Sequence, residues 1–381
     1  MQMENLEQLT FQNLKINNSN QHFLIFNKEN FIQFLSEINN LTDLYLIKRK
    51  IQKLKEILNH PENDDMGLLN IEMDGDTVSL RKDILISELD QIIESQDFER
   101  VKYYLKRLIN GIQEVKTNKV NDINISRWKE YDDIITDSLW IFNKRDTSGA
   151  HLGWYWGNFI PQIPRQLMLR FTKQGEWVLD PFLGSGTTLI ECRRLGRNGI
   201  GIELNPQVIQ KAKEQIEKEK NIFSVVTEVV HGDSKTIDLK QILYKYGQKQ
   251  FQLFILHPPY QDIIKFSSDK NDLSNAKNTK EFLNMFGQVL DNITPYLEQE
   301  RYLALVIGDK YSRGEWIPLG FYCMQEVLNR GYILKSIIVK NFEETKGKRN
   351  QKELWRYRAL VGGFYIFKHE YIMIFKKKKN K

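Results

Sequence analysis

Cysteine is scarce in this chain of 381 residues: there are two, Cys192 and Cys323, far apart and in no CxxC pair. Their scarcity excludes a disulfide framework and leaves a zinc site without its usual thiolates, so no metal is expected. It also fits a reducing, cytoplasmic location. Missing too is any uninterrupted apolar stretch near the ~18 to 20 residues that a membrane span needs. The first residues, "MQMENLEQLTFQNLK", carry no basic-then-apolar signal pattern. Secretion and membrane contact are therefore not expected. Nor does one sign of charge dominate. Lys and Arg number 55 against 49 Asp and Glu, a net charge of +6 that suits a nucleic-acid partner without demanding one. No internal repeat is present, and the single low-complexity piece, "KKKKNK", reads as a solvated tail. What remains is an ordinary globular composition, 41% hydrophobic and 27% charged, with room for one large domain and a smaller one.

Two textures divide the chain. Residues 1–145 are rich in Asn, Lys, Ile and Glu, and "FIQFLSEINNLTDLYLIKRKIQKLKEIL" and "ERVKYYLKRLINGIQEV" carry apolar residues at helical spacing. They predict a mostly helical region, broken at "HPENDDMGLLNIEMDGDTVSLRK" by a loop or a short hairpin. Residues 146–381 instead alternate short apolar runs with helical segments: "EWVLD", "TTLIECRRLG", "NGIGIEL", "PQVIQKAKEQIEKEK", "FQLFILH". Strict strand and helix alternation predicts an α/β, doubly wound parallel sheet. The runs "YILKSIIVK" and "FYIFKHEYIMIFKKK" predict an antiparallel strand pair closing it.

Within "WVLDPFLGSGTTLIECRRLG", Asp180 ends a predicted strand, Gly184-Ser185-Gly186 makes a turn, and a helix opens at Thr187 or Thr188. Glycines there let backbone approach a ligand, and the helix start offers free N–H groups. The next strand, "NGIGIEL", ends in Glu203, at roughly the 20-residue interval where an α/β nucleotide fold sets an acid beside ribose hydroxyls. A third strand leads to Asp233 and Ser234, placed to reach an adenine amine. Downstream, "LFILHPPYQDIIKF" is an apolar run that stops at His257-Pro258-Pro259-Tyr260. Two prolines cannot donate to a sheet ladder, so a strand ends and a rigid loop begins there.

Together "DPFLGSGTT", "GIELNP" and "PPY" resemble the amino-methyltransferases of DNA, a family that uses S-adenosylmethionine and has a Rossmann-like sheet. The resemblance covers most of residues 150–381. It implies that Asp180, Phe182, Gly184, Gly186 and Thr187 wrap the methionine part of the cofactor and that Glu203 holds its ribose. The upstream "NFIPQIP" resembles the segment that covers the methionine end, implicating Asn158 and Phe159. At the strand end the family carries Asp, Asn or Ser before Pro-Pro and an aromatic residue. It flips the target base out of the duplex, stacks it on the aromatic ring, and accepts hydrogen bonds from its amine through the first side chain and the first proline carbonyl. Tyr260 and Pro258 take those places, beside Pro259.

His257 departs from the pattern. A neutral imidazole has one acceptor nitrogen and can serve, whereas imidazolium only donates; with an unperturbed pKa of ~6.5, the switch would fall near neutral pH. A general-base role and a packing role with catalysis lost are the other readings. Two surface segments are candidates for DNA contact or, alternatively, solvated loops between strands: "FSSDKNDLSNAKNTK" and "KGKRNQKELWRYR" (residues 346–358), the latter mixing basic and aromatic residues. The helical region is a candidate for target recognition or dimerisation. The expected enzyme methylates an exocyclic amine of double-stranded DNA, adenine N6 slightly ahead of cytosine N4, in a restriction-modification setting with a restriction endonuclease as possible partner. An RNA base methyltransferase of the guanine-N2 kind and a silent DNA-binding relative are the alternatives. Target sequence and oligomeric state are not legible.

Overall fold

The computed structural model describes residues 23–69, 76–342 and 352–379. The chain divides into two compact units, one of residues up to 119 with 123–133, the other of 120–122 and everything from 134 onward.

In the first unit, β1 (Phe23–Asn27) runs into α1 (Lys28–Asn40) and α2 (Leu44–Asn59); β2 (Thr77–Arg81) then leads to α3 (Lys82–Glu94) and α4 (Phe98–Gln113). Helix starts are fixed by side chains: Asn27, Asp43 and Asp97 accept hydrogen bonds from the first-turn N–H groups of α1, α2 and α4. Phe31, Leu35 and Ile38, then Ile47, Ile51, Leu54 and Leu58, recur at helical spacing and are buried. The helical expectation holds. In the segment that breaks the helices, residues 70–75 lie outside the described ones, and its strand β2 pairs antiparallel with β1, Phe23 opposite Arg81 and Asn27 opposite Thr77.

The second unit carries β3 (Leu139–Trp140), α5 (Gln162–Phe171), β4 (Trp177–Asp180), α6 (Thr187–Leu195), β5 (Asn198–Glu203), α7 (Pro206–Glu217) and β6 (Thr227–His231). It continues with α8 (Leu239–Lys245), β7 (Phe251–Leu256), α9 (Thr279–Ile293), β8 (Leu297–Ile307), β9 (Lys310–Ser312) and β10 (Glu315–Ile317). Last come α10 (Leu319–Leu328), β11 (Tyr332–Asn341), α11 (Lys352–Gly362) and β12 (His369–Lys377). Eight strands form one sheet in the order β3-β11-β12-β8-β7-β4-β5-β6. From β6 to β8 all pairings are parallel, and β12 runs antiparallel to both β8 and β11. The α/β parallel sheet is as expected. Its far end is not, since β3 pairs parallel with β11 beyond the terminal pair. β3 lies in the stretch assigned to the helical region, so the division falls at 133 rather than 145. "FYIFK" also stays outside β12, which starts at His369.

Parallel strands are covered on both faces and read as continuous apolar runs. β4 is buried throughout, as is β7 apart from Gln252. α9 presents Phe282, Met285, Phe286, Val289, Leu290 and Ile293 to the core, and Asn278 caps it by accepting from the Glu281 N–H at 2.9 Å. Chain order reverses between β4 and β7: β5 and β6 lie to one side, β8 and β12 to the other. In such sheets the crevice at the carboxyl ends of the two strands is where ligands bind. Phe254, fully buried on β7 with its ring 5.9 Å from that of Phe251, supports this seam. Phe254→Ala should destabilise the second unit by about 3–5 kcal/mol, read from urea unfolding followed by circular dichroism; a loss under about 1 kcal/mol would show that the seam does not depend on this packing.

Candidate active site

Asp180 ends β4 and is fully buried. Its Oδ1 accepts the Phe182 N–H at 2.9 Å, and its Oδ2 accepts the Thr188 hydroxyl. Both oxygens are thus engaged in shaping the turn, and burial pushes the carboxyl pKa up to about 7. The turn itself needs glycine: Gly184 and Gly186 have φ of 53° and 84°, the left-handed region. A Cβ on Gly184 would lie 2.9 Å from Tyr155 Cε1. Ser185 Oγ lies 3.0 Å from Thr187 Oγ1 and accepts from Asn158 Nδ2 at 3.1 Å, which sets the upstream segment on the turn.

Glu203, at the end of β5, bridges two loops. Its Oε2 accepts the Gly184 N–H at 2.9 Å and its Oε1 the Asn205 N–H at 2.8 Å. Each oxygen keeps a further acceptor site, and burial raises the pKa. Beyond β6, Asp233 accepts the Lys235 N–H at 2.9 Å and lies 3.5 Å from the Lys235 ammonium. The Ser234 hydroxyl donates to the Pro181 carbonyl at 2.6 Å, so its donor is committed to the turn.

His257 follows β7 and is half-buried. Its ring sits 5.0 Å from that of Phe159 and edge-on to that of Tyr260 at 5.6 Å. Nε2 lies 3.2 Å from the Tyr260 hydroxyl, which donates to Glu370 Oε2 at 2.8 Å. Glu370 is paired with Lys340 at 3.1 Å, both buried. Burial lowers the His257 pKa to about 4, with Glu370 opposing that shift and Lys340 adding to it. Burial also pushes the Tyr260 phenol well above its usual range, Glu370 adding to that. Tyr260 packs against Gly308, where a Cβ would meet its ring at 2.9 Å.

One cleft of about 930 Å³ joins these parts. Asn158, Phe159, Phe182, Gly184 and Thr187 line one stretch of it. Glu203, Asp233 and Ser234 line another, and His257, Pro258, Pro259 and Tyr260 a third. Asp180 and Gly186 do not reach the wall; they stand behind the turn.

Several residues on the wall were not singled out from the sequence. Arg145 donates through Nη1 to Asn158 Oδ1 at 3.2 Å and to the Phe159 carbonyl at 2.8 Å. Its Nε and Nη2 are buried with no partner, and burial lowers its pKa. Tyr155 stacks on Phe266 with centroids 5.5 Å apart. Phe266, Asp272 and Leu273 line the cleft, although they belong to the segment expected on a DNA-facing surface. Of the other such segment, residues 346–351 lie outside the described residues, and Trp355 on α11 reaches the cleft wall. Glu370 and Lys340 carried one signal: each is a charge set directly against an apolar run, "EYIMIF" and "IIVK". Among the described residues no group of His, Cys, Asp and Glu could hold a metal ion, and no helix is long and apolar enough to cross a membrane.

Comparisons with known proteins bear on this cleft. The Type II methyltransferase M.MjaII of Methanocaldococcus jannaschii is 32% identical over 111 residues, covering 26% of this chain and 21% of that protein. M.Cfr9I of Citrobacter freundii is 37% identical over 82 residues, 22% of this chain and 26% of its own. For M.HpaI of Haemophilus parainfluenzae the figures are 43% over 63 residues, 16% and 20%. The chain thus spans about a quarter or less of the length of these relatives. Among solved structures, TrmN from Thermus thermophilus matches with a TM-score of 0.37 at 16% identity, over 58% of this chain and 50% of that one, a likeness too slight to carry an inference. The family model for DNA methylases matches residues 1–214, more than half of the chain, and the protein belongs to that family.

Proposed function

We propose that the protein transfers a methyl group from S-adenosylmethionine to an exocyclic amine of adenine or cytosine in DNA, as part of a restriction-modification system. The observation that carries this reading is the single cleft at the β4/β7 reversal, lined by both the turn with Glu203 and the His257-Pro258-Pro259-Tyr260 loop. The residues present fit the cofactor. Glu203 has acceptor sites left for a ribose diol, and the Arg145 guanidinium, on the cleft wall beside Asn158, is a cation suited to the carboxylate of the methionine end. Asp180 and Gly186 act through the shape of the turn. When bound, S-adenosylmethionine supplies a sulfonium methyl group open to attack by a nitrogen lone pair.

The amine of a base is a weak nucleophile, because its lone pair is delocalised into the ring. Acceptors on its N–H groups favour a pyramidal nitrogen. The Pro258 carbonyl and neutral His257 are the two acceptors. A histidine with pKa near 4 is neutral across the physiological range and a poor proton acceptor, which supports hydrogen-bond acceptance over general-base work; the proton that the strongly acidic methylated nitrogen sheds passes to solvent water. Incubating DNA with the protein and cofactor, then identifying the methylated nucleoside by mass spectrometry, tests the reaction. Absence of any methylated base, beside a cofactor-binding signal, would overturn it.

Cofactor binding yields two expectations. Glu203→Gln sets an amide donor against the Gly184 or Asn205 N–H and should weaken S-adenosylmethionine binding by roughly 1.5–3 kcal/mol by calorimetry; unchanged affinity removes the ribose assignment. Arg145→Met should weaken S-adenosylmethionine by a similar order while leaving adenosine, which lacks the carboxylate, unaffected. Equal losses for both ligands would make Arg145 a support of the turn only.

Acid dependence follows from the sign of the His257 shift. A histidine depressed from ~6.5 to about 4 stays neutral in the folded state as pH falls, so single-turnover methylation should hold its rate through pH 6 and fail only toward about 4. The unfolded chain takes up that proton first, so the same shift removes stability as pH drops below ~6.5. A carboxylate in this buried place beside Glu370 is pushed upward, so the acid limb of His257→Asp should lie above that of the wild type. His257→Ala should lose on the order of 10²-fold in rate. A wild-type limb near ~6.5 would refute the depressed pKa of His257, and an alanine variant at full rate would reduce it to packing.

A further inference from the structure

Two hydrogen-bond partners flank the Tyr260 hydroxyl: Glu370 Oε2 at 2.8 Å and His257 Nε2 at 3.2 Å. Lys340 and Glu370 face each other in the register of β11 and β12, with the Lys340 ammonium 3.1 Å from Glu370 Oε1. A phenol carries one proton, and a carboxylate paired with an ammonium only accepts. The phenol proton therefore points to Glu370, and an oxygen lone pair is left toward His257. Two lone pairs make no hydrogen bond, so Nε2 carries the proton. In a neutral imidazole the free lone pair is then on Nδ1, a nitrogen with no hydrogen-bond partner among the described residues.

Neighbouring charges do not compete for Tyr260. Lys310 is paired with Asp262. Asp309 accepts from Trp316 Nε1, the Gly320 N–H and the Tyr371 hydroxyl. His369 Nε2 lies 3.2 Å from the Tyr371 hydroxyl. The chain from Lys340 to His257 is thus closed at every link, with one acceptor open at its end.

Resting on the methyl-transfer reading, we propose that Lys340, Glu370 and the Tyr260 hydroxyl hold His257 as the Nε2–H tautomer and so present Nδ1 as the acceptor for the target amine. Lys340 and Glu370 are positioning residues; His257 is the end of the relay that meets the target amine. The arrangement explains how histidine serves where the family carries Asp, Asn or Ser. An imidazole offers an acceptor on either nitrogen, and only a fixed tautomer makes it the same one at each turnover.

The test is nitrogen NMR of the full chain with labelled histidine, at pH 7.5, where two-bond correlations to the ring protons report which nitrogen is protonated. Loss of a signal in His257→Asn assigns the residue. The wild type should show Nε2–H and a bare Nδ1. In Glu370→Gln the amide carbonyl stays on the Lys340 ammonium, so the amide N–H faces Tyr260, the phenol turns to donate to Nε2, and the proton moves to Nδ1. Its turnover number should fall on the order of 10²-fold, while KM for DNA and Kd for cofactor stay within about twofold. Tyr260→Phe, which keeps the ring against Gly308, should give a mixture of tautomers and serves if the glutamine variant does not fold. An Nδ1–H wild type, or a folded Glu370→Gln with the tautomer unchanged, overturns the relay. A wild type with the expected tautomer, cofactor bound and no DNA methylation overturns the methyl-transfer reading and the acceptor role of Nδ1, and leaves the tautomer control standing.

Discussion

β4 and β7 lie side by side in the sheet, paired through Val178 with Leu253 and Leu179 with Phe254, yet the strands that follow each leave in opposite directions. No crossover can cover the gap this reversal leaves at their carboxyl ends. Every feature of the cleft depends on that gap. Asp180 closes β4 and folds the glycine turn back over one lip, and His257 closes β7 and starts the proline loop over the other. Buried strands on both faces fix the register, because a shift by one residue would drive side chains into the wrong layer.

The local parts of this arrangement were legible in the sequence. β4, α6, β5 and β7 stand where period and turn residues put them, since each owes its form to neighbours within a few positions. The two glycines could be read for the same reason. Pairings that join distant segments could not. β2 finds β1 across two helices, and the short β3, with one side chain buried and the other exposed, has no pattern of its own and exists only because the edge of β11 is open. Likewise the Lys340–Glu370 contact is set by the antiparallel register across α11, and the sequence does not show that Asp180 is buried behind the turn, its oxygens accepting from Phe182 and Thr188.

A buried ion pair is costly to keep. Desolvating an ammonium and a carboxylate takes several kcal/mol per ion, and well-packed apolar residues of similar volume often do as well or better for stability. Lys340 and Glu370 are thus poorly explained as a device for holding β11 to β12, which nine backbone register pairs already join. Their position at the cleft end of both strands gives a better reason. Carboxylate beside ammonium stays an acceptor, and an acceptor on the Tyr260 hydroxyl fixes where its one proton points.

The electrostatics of the cleft run in one direction. Burial is the first cause of every resolved shift there: Asp180, Glu203, Tyr155 and Tyr260 are raised, and Arg145 and His257 lowered. Each group is moved toward its neutral form, as expected where water is excluded. In such a place a lone carboxylate is hard to keep ionised, and protonating it would replace an acceptor with a donor. A histidine responds the opposite way, because desolvation favours its neutral form and so preserves its lone pair. The same burial that would weaken an aspartate at position 257 therefore supports an imidazole there, provided its tautomer is held, and that condition is the one the Tyr260 hydroxyl meets.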